Sequence, residues 1–376
     1  MKNQISEFLQ SRIDARDFPS AVYLVAEKSE IIFTDALGCA VVEPEKIKAQ
    51  LETIYDLASL TKPLVTGLLC AKLIETGAIN LNDKISKYFS KFDTSEKGEI
   101  SIENLLTHTS GFPAWKPFYL NSEREMRNAD SVISQIAAAR LENPVNSKVV
   151  YSDFNFLLLG FLLEKIYEKS LDEIAKQEIF ASLNLKNTFF NPPPKLQKRI
   201  AASEFGNEYE KQTVAQTFPE IRISHFAFRV SMVWGEVHDV NAYFLNGVSG
   251  HAGLFSNIFD IFQIARQFLA AETVLLKPET CRLFRTNYTK GLNEARSIAF
   301  QLAETKDSTA SEALSKDSFG HLGFTGTSVW IEPAAERIFI LLTNRTHNRR
   351  PPFVNINSTR RKFHELAAET LDKKRG

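Results

Sequence analysis

Apolar residues recur at helical spacing from Ile5 to Ile13, and two β-rich runs follow at 21–26 and 31–36. Those runs are close enough to pair as a hairpin. Residues 60–76 carry no strand signal, are rich in Leu and Ala, and stop at Gly77. They predict a helix starting near Ser59, with Pro63 tolerated in its first turn. From about 80 to 190 the spacing is mainly helical, at 130–141, 154–168 and 171–183, with loops at 105–111 and 191–194. Strand signals return at 322–331 and 337–343, separated by the turn-like Glu332-Pro333-Ala334-Ala335-Glu336. A last helix, capped near Asn357 or Ser358, carries Phe363, Leu366, Ala367 and Leu371 on one face. The polar stretch 304–318 predicts a mobile surface loop.

Strands at both ends with helices between them predict an α+β fold. One antiparallel sheet is built from both ends of the chain and flanked by the terminal helices, and a mainly helical lobe is inserted. The expected division is 1–78 and 250–376 for the sheet lobe and 79–249 for the helical lobe, within a single unit.

Composition narrows the classes. The 376 residues include 45 basic and 45 acidic side chains, so the net charge is zero. No electrostatic footprint for nucleic acid or an anionic membrane results, and neither is expected as a partner. Cys39, Cys70 and Cys281 are too scattered for a metal site or a disulfide framework, and read as free thiols in a reducing compartment. The first residues lack a secretory apolar stretch. The longest apolar run, Phe156 to Leu163, falls short of the ~20 residues that cross a bilayer. A cytoplasmic protein is expected, or a periplasmic one if a leader precedes these residues.

Candidate chemistry begins at Ser59-Leu60-Thr61-Lys62, an S-x-x-K pattern. A serine at a helix start sits at the positive end of the dipole, and a lysine three residues on shares its face. A neutral lysine amine would take the serine proton; a charged one would stabilise the alkoxide. The competing reading is a plain N-cap with a surface lysine. Tyr151-Ser152-Asp153 stands where a loop meets the helix at 154–168, so the phenol either enters a cleft or is an ordinary half-buried aromatic. His321-Leu322-Gly323-Phe324 reads as the start of a strand, in which Gly323 lets substrate approach the backbone. The N–H groups of Ser59 and Phe324 would then form an oxyanion hole. Otherwise this is a strand-initiating turn with a solvated histidine.

With these motifs in view, the chain resembles the serine β-lactamase and penicillin-binding-protein superfamily, in its class C β-lactamase and family VIII esterase branch. The resemblance runs in order through 54–62, 105–113, 151–160 (Tyr151-Ser152-Asp153, then Leu158-Leu159-Gly160), 250–256 and 320–327. It implies that Ser59 is the nucleophile, that Lys62 and Tyr151 form the acid–base pair, and that Ser59 and Phe324 supply the oxyanion hole. Gly253 and Ser256 would line one wall of the cleft. The 105–113 motif is mostly architectural, which leaves His108 and Ser110 out of the catalytic set.

The departures from the family pattern concern substrate. Asp153 stands where an Asn usually donates to a substrate carbonyl, and an ionised Asp cannot donate. His321 and Leu322 replace the Lys and Thr that hold a β-lactam carboxylate. Esters or amides lacking that carboxylate are therefore favoured over β-lactams. Strings at 235–242 and 247–253 look closest to bacterial cell-wall-recycling N-acetylmuramoyl-L-alanine amidases. That likeness makes His238, Asp239, Asn241 and His251 substrate-binding candidates beside Asp153, His321 and Gly323; the alternative is a polar network that buttresses a loop.

The expected activity is a serine hydrolase acting on a small-molecule or muropeptide substrate, without cofactor or metal. Alternatives are a weak β-lactamase or D-amino-acid peptidase, and a catalytically silent ligand-binding or sensor protein. A G-x-S-x-G elbow is missing, since His251 follows Ser249 two residues on. A zinc site from His225, His238, His251 and Asp239 has no compact ligand pair to support it. The sequence does not specify an oligomeric state.

Overall fold

The computed structural model describes residues 4–121, 128–220 and 228–373. Strand β1 (Ser20–Glu27) pairs with β2 (Glu30–Val41) on one side and, across the whole chain length, with β10 (Arg337–Thr343) on the other. The seven-stranded order is β3-β2-β1-β10-β9-β8-β7, antiparallel throughout. Its remaining members are β3 (Ile47–Lys48), β7 (Gln301–Leu302), β8 (Phe319–Leu322) and β9 (Ser328–Glu332).

Alternation along the central strands decides what each face meets. Tyr23, Val25, Phe339 and Leu341 point to one side, where α1 (Gln4–Asp14) and α10 (Asn357–Lys373) cover them with Ile5, Leu9, Phe363 and Ala367. Val22, Leu24, Ile338 and Ile340 face the opposite core, shared with the helices. Both faces are covered, so β10 reads as a continuous apolar run rather than an alternating one.

The helical elements are α2 (Leu68–Thr76), α3 (Ile102–Leu106), α4 (Ala129–Ala138), α5 (Asp153–Tyr167), α6 (Leu171–Ala175), α7 (Glu208–Thr217), α8 (Val240–Phe244) and α9 (Ile258–Arg266). In α5 every residue from Phe154 to Leu163 is buried, the mark of a helix apolar all round and sunk in a core. A second small sheet, ordered β4-β6-β5, joins β4 (Tyr55–Asp56), β6 (Leu254–Ser256) and β5 (Phe189–Phe190). Among the described residues no helix is long and apolar enough to cross a membrane.

Three expectations are corrected. The strand foreseen at 322–331 is two strands, β8 and β9, joined by a tight turn at 323–327 in which Gly323 N–H donates to the Thr327 carbonyl at 2.8 Å. His321 therefore lies near the end of a strand, not at its start. The helix foreseen at 60–76 is a 3-10 turn (Ala58–Leu60), a wide π-helical stretch (Lys62–Gly67) and only then α2, which Gly77 ends at φ 75°. Residues 304–318 are not a free loop, because Ala310 and Leu314 are buried in the terminal-helix core. Trp330 Nε1–H also donates to Thr309 Oγ1 at 3.1 Å.

Candidate active site

The small sheet places the nucleophile. β4 pairs with β6 (Tyr55↔Ser256, Asp56↔Phe255), and Leu57 N–H continues the ladder to the Leu254 carbonyl. Ala58 then turns through φ 47°, a conformation that costs a non-glycine residue energy, and its N–H is held at 2.8 Å by Asp56 Oδ1. The turn presents Ser59, half-buried, at the mouth of a cavity of about 550 Å³.

Lys62 lies behind Ser59 with no solvent exposure. Its Nζ donates to Ser59 Oγ (3.0 Å) and to the His251 carbonyl (3.1 Å), and pairs with Asp153 Oδ1 (2.8 Å). Burial alone would push the amine down, yet the charge of Asp153 beside it, followed by that of Tyr151, holds its pKa above the ordinary lysine value. Of the two roles open to this lysine, the structure favours the charged donor over the neutral base.

The Tyr151 ring packs against Lys62 Nζ (4.9 Å to centroid), His108 (4.6 Å) and His321 (5.7 Å). His108 is buried behind the Tyr151 ring. Its Nδ1 accepts from Ser152 N–H and Asn155 Nδ2, both at 3.1 Å, while Asn155 Oδ1 accepts from Ser110 Oγ. Asn155 thus points away from the cavity. His321 is buried at 4% exposure rather than solvated, and its Nδ1–H donates to the Leu322 carbonyl at 2.9 Å. Burial, then the charges of Arg296 and Lys62, depress its pKa far below the ordinary imidazole value.

The turn at 323–327 is tied to the nucleophile segment. Thr325 Oγ1 donates to the Asp56 carbonyl (2.7 Å) and Thr327 Oγ1 to the Leu57 carbonyl (3.1 Å). Arg360 Nη2 reaches the Gly323 and Thr327 carbonyls at 2.8 and 2.9 Å. A Cβ on Gly323 would lie 2.0 Å from Thr327 Oγ1 and 2.5 Å from the Leu57 carbonyl. The glycine therefore serves the approach of two backbone segments, more than the approach of a substrate. Phe324 and Ser59 both line the cavity.

The remaining candidates divide. Asp153 and His321 line the cavity with Tyr151, and His238 stacks on Phe324 (5.4 Å) within its wall. Gly253 and Ser256 sit behind the nucleophile. Gly253 (φ 112°) packs on the Gly247 carbonyl, and buried Ser256 bonds Thr188 Oγ1 at 2.8 Å, so these residues support the wall instead of forming it. Asn241 tethers the Lys116 carbonyl and Phe118 N–H. His251 is 1% exposed and bridges Asp239 Oδ1 (3.0 Å) and Ser249 Oγ (2.7 Å). This Ser-His-Asp chain is built for support, since Ser249 is buried and lies outside the cavity wall.

Asp153, Asp239 and His251 bring one ligand atom each within 4.8 Å of one another, spacing that would suit a metal ion. The Lys62 ammonium already supplies a fixed cation there. His238 instead faces Glu204 at 2.8 Å, and His225 lies outside the described residues. Burial works against the charge of Asp239, but His251 and the Ala242 N–H hold its carboxyl below the usual range.

No sequence motif pointed to Glu210, Arg296, Arg345 or Arg360, all of which line the cavity. Arg360 had one available signal, its place in the first turn of α10, where it donates to Asn357 Oδ1 at 2.9 Å; the helix begins at Asn357, so the cap expected there lies one residue earlier. Glu210 accepts from Tyr119 Oη at 2.9 Å, and burial followed by the charge of Asp239 raises its pKa to about 8.

Comparison with known proteins agrees with this geometry. The family model described as Beta-lactamase matches residues 5–358. A protein of Escherichia coli (strain K12) named "Putative D-alanyl-D-alanine carboxypeptidase" is 31% identical, over 92% of this chain and 82% of that one. One of the same name from Salmonella typhimurium is 30% identical, over 92% and 83%. Among solved structures, "EstCE1, a hydrolase with promiscuous acyltransferase activity" superposes with a TM-score of 0.73 at 20% identity, covering 97% of both chains. A class C β-lactamase from Rhodobacter sphaeroides gives 0.71 at 17% identity, over 98% and 99%.

Proposed function

The chain belongs to the β-lactamase family and is a serine hydrolase; within that class, we propose that it cleaves an ester or amide of a small or peptidoglycan-derived substrate through an acyl-enzyme on Ser59. The observation that carries this reading is the 3.0 Å contact between the buried Lys62 ammonium and Ser59 Oγ, made beside Tyr151 in the wall of a cavity.

Ser59 Oγ attacks the substrate carbonyl and forms the new C–O bond. Its proton passes to the Tyr151 oxygen, which acts as a phenolate beside the Lys62 ammonium, and that ammonium stabilises the developing alkoxide. The carbonyl oxygen, now negative, rests on the N–H groups of Ser59 and Phe324. Tyr151 delivers a proton to the departing amine or alcohol. Water then attacks the ester carbonyl and gives its proton to Tyr151, which returns a proton to Ser59 Oγ as the Oγ–acyl bond breaks and the acid leaves.

The names of the Escherichia and Salmonella relatives favour a second reading within this mechanism, a peptidase releasing a D-amino acid. Both readings are tested by comparing the protein with Ser59→Ala on p-nitrophenyl butyrate, a chromogenic cephalosporin, N-acetylmuramoyl-L-alanyl-D-isoglutamine and a D-alanyl-D-alanine peptide. Serine-dependent turnover with a mass increment on Ser59 supports the hydrolase, and the preferred substrate selects the branch. No turnover and no adduct would leave the catalytically silent binding protein.

A further inference from the structure

Two buried polar atoms of cavity-lining residues beside Tyr151 have no hydrogen-bond partner among the described residues: Arg296 Nε and His321 Nε2. The two residues are 5% and 4% exposed. The Arg296 guanidinium carbon lies 5.5 Å from the Tyr151 ring centroid, and the His321 ring lies 5.7 Å from it. Sheet register brings them together from separate segments, because Arg296 bridges to Gln301 and Gln301 pairs with Gly320, the neighbour of His321.

The two atoms have opposite character. A carbonyl oxygen only accepts, so the bond to Leu322 O fixes the His321 proton on Nδ1 and leaves Nε2 as a bare lone pair. Arg296 Nε–H is a donor, and its charge is already matched at Nη2 by Glu294 Oε1 at 2.6 Å, a carboxylate also held by Gln301. The pair is therefore dipolar and close to neutral in sum. A carboxylate placed there would meet the histidine lone pair, and an apolar group would leave both atoms unsatisfied, a costly arrangement in a buried site. An amide carries both matching groups, a C=O that accepts as Arg296 requires and an N–H that donates as His321 requires.

We infer that Arg296 and His321 form a leaving-group subsite that selects an uncharged amide over a carboxylate. The inference rests on the acyl-enzyme reading, with Tyr151 serving the leaving group. It departs from the carboxylate-holding Lys-Thr pair that this chain lacks.

Aminolysis reverses the departure of a leaving group, so it probes this subsite with any acyl group. The full-length protein is acylated with p-nitrophenyl butyrate, and D-alaninamide and D-alanine compete with water for the acyl group, each compared per free amine. D-alaninamide should be the better acceptor by at least about tenfold. That preference should collapse toward unity in Arg296→Met and recover in part in Arg296→Gln, which restores an N–H donor. A merely structural arginine would slow both acceptors equally, leave their ratio unchanged and overturn the inference. So would equal use of the two acceptors, or a preference for D-alanine, in the unmodified protein. Absence of any Ser59 adduct would instead refute the acyl-enzyme reading itself.

Discussion

Lys62 and Asp153 form an ion pair, 2.8 Å from Nζ to Oδ1, at the point where the same ammonium touches the Ser59 hydroxyl. An aspartate here answers a need that an asparagine would not. It keeps a lysine with no solvent exposure charged, against the penalty of burial. Asp153 thus acts on the charge of Lys62 from the cavity wall, and, ionised, it cannot donate to a substrate carbonyl.

Asp153→Asn removes the largest influence that raises the Lys62 pKa, so the ammonium will be lost at lower pH. The alkaline limb of the kcat/KM profile should move to lower pH. An unmoved limb would mean that Asp153 does not hold the charge on Lys62.

Lys62→Ala should lower kcat by at least about 10³-fold, since members of a catalytic unit fail together. Labelling by a serine-directed phosphonate should slow with it. Near-normal turnover of this variant would remove Lys62 from the mechanism.

His321 is held neutral, far below the ordinary imidazole value. Its titration should therefore add no inflection between about pH 6 and 7 to the activity profile. His321→Asn should change substrate preference while leaving the shape of the profile intact; loss of a limb in that variant would show that the imidazole titrates.

Glu210 has its pKa raised from 4.5 to about 8, so the folded protein keeps a proton that the unfolded chain releases. Stability then falls as pH rises between those two values and levels off above the upper one. Glu210→Gln removes this dependence. Its melting temperature relative to wild type should climb from pH 5 to pH 8.5, as followed by scanning calorimetry. A constant difference would mean that Glu210 titrates normally.

Gly160 and Gly250 meet face to face, and a Cβ on Gly160 would lie 3.0 Å from Gly250 Cα and N. Gly160→Ala should destabilise by about 1–3 kcal/mol through overpacking of α5 against the segment that holds Lys62. Denaturant unfolding would measure it, and an unchanged midpoint would show that the contact yields.

What the sequence discloses follows from what each feature depends on. β1 and β10 are written in short apolar β-branched runs and the terminal helices in local periodicity, and Ser59, Lys62 and Tyr151 sit in short motifs, so all could be read directly. The turn at 323–327 is hidden because Phe324, Thr325 and Thr327 favour extended structure and carry the run on into β9, while the break is set by contacts of Thr325 and Thr327 with the distant Asp56 and Leu57 carbonyls. Gly253 and Ser256 carry a motif yet face inward, since the pairing of Leu254 with Phe190 and of Ser256 with Tyr55 directs that strand behind the nucleophile. Arg296 and Glu210 reach the cavity only through tertiary register, which no local pattern encodes.

The pairing of β1 with β10, Ala21 against Thr343, also sets a timetable for biosynthesis. On a ribosome, β1 emerges early and waits on the order of tens of seconds for its partner at 5–20 residues per second. Throughout that interval its apolar edge needs shielding. The turn that carries Phe324 also arrives late, so a nascent chain holds Ser59 and Lys62 well before it holds the wall that Phe324 builds around them. A complete cavity is thus a property of the nearly finished polypeptide.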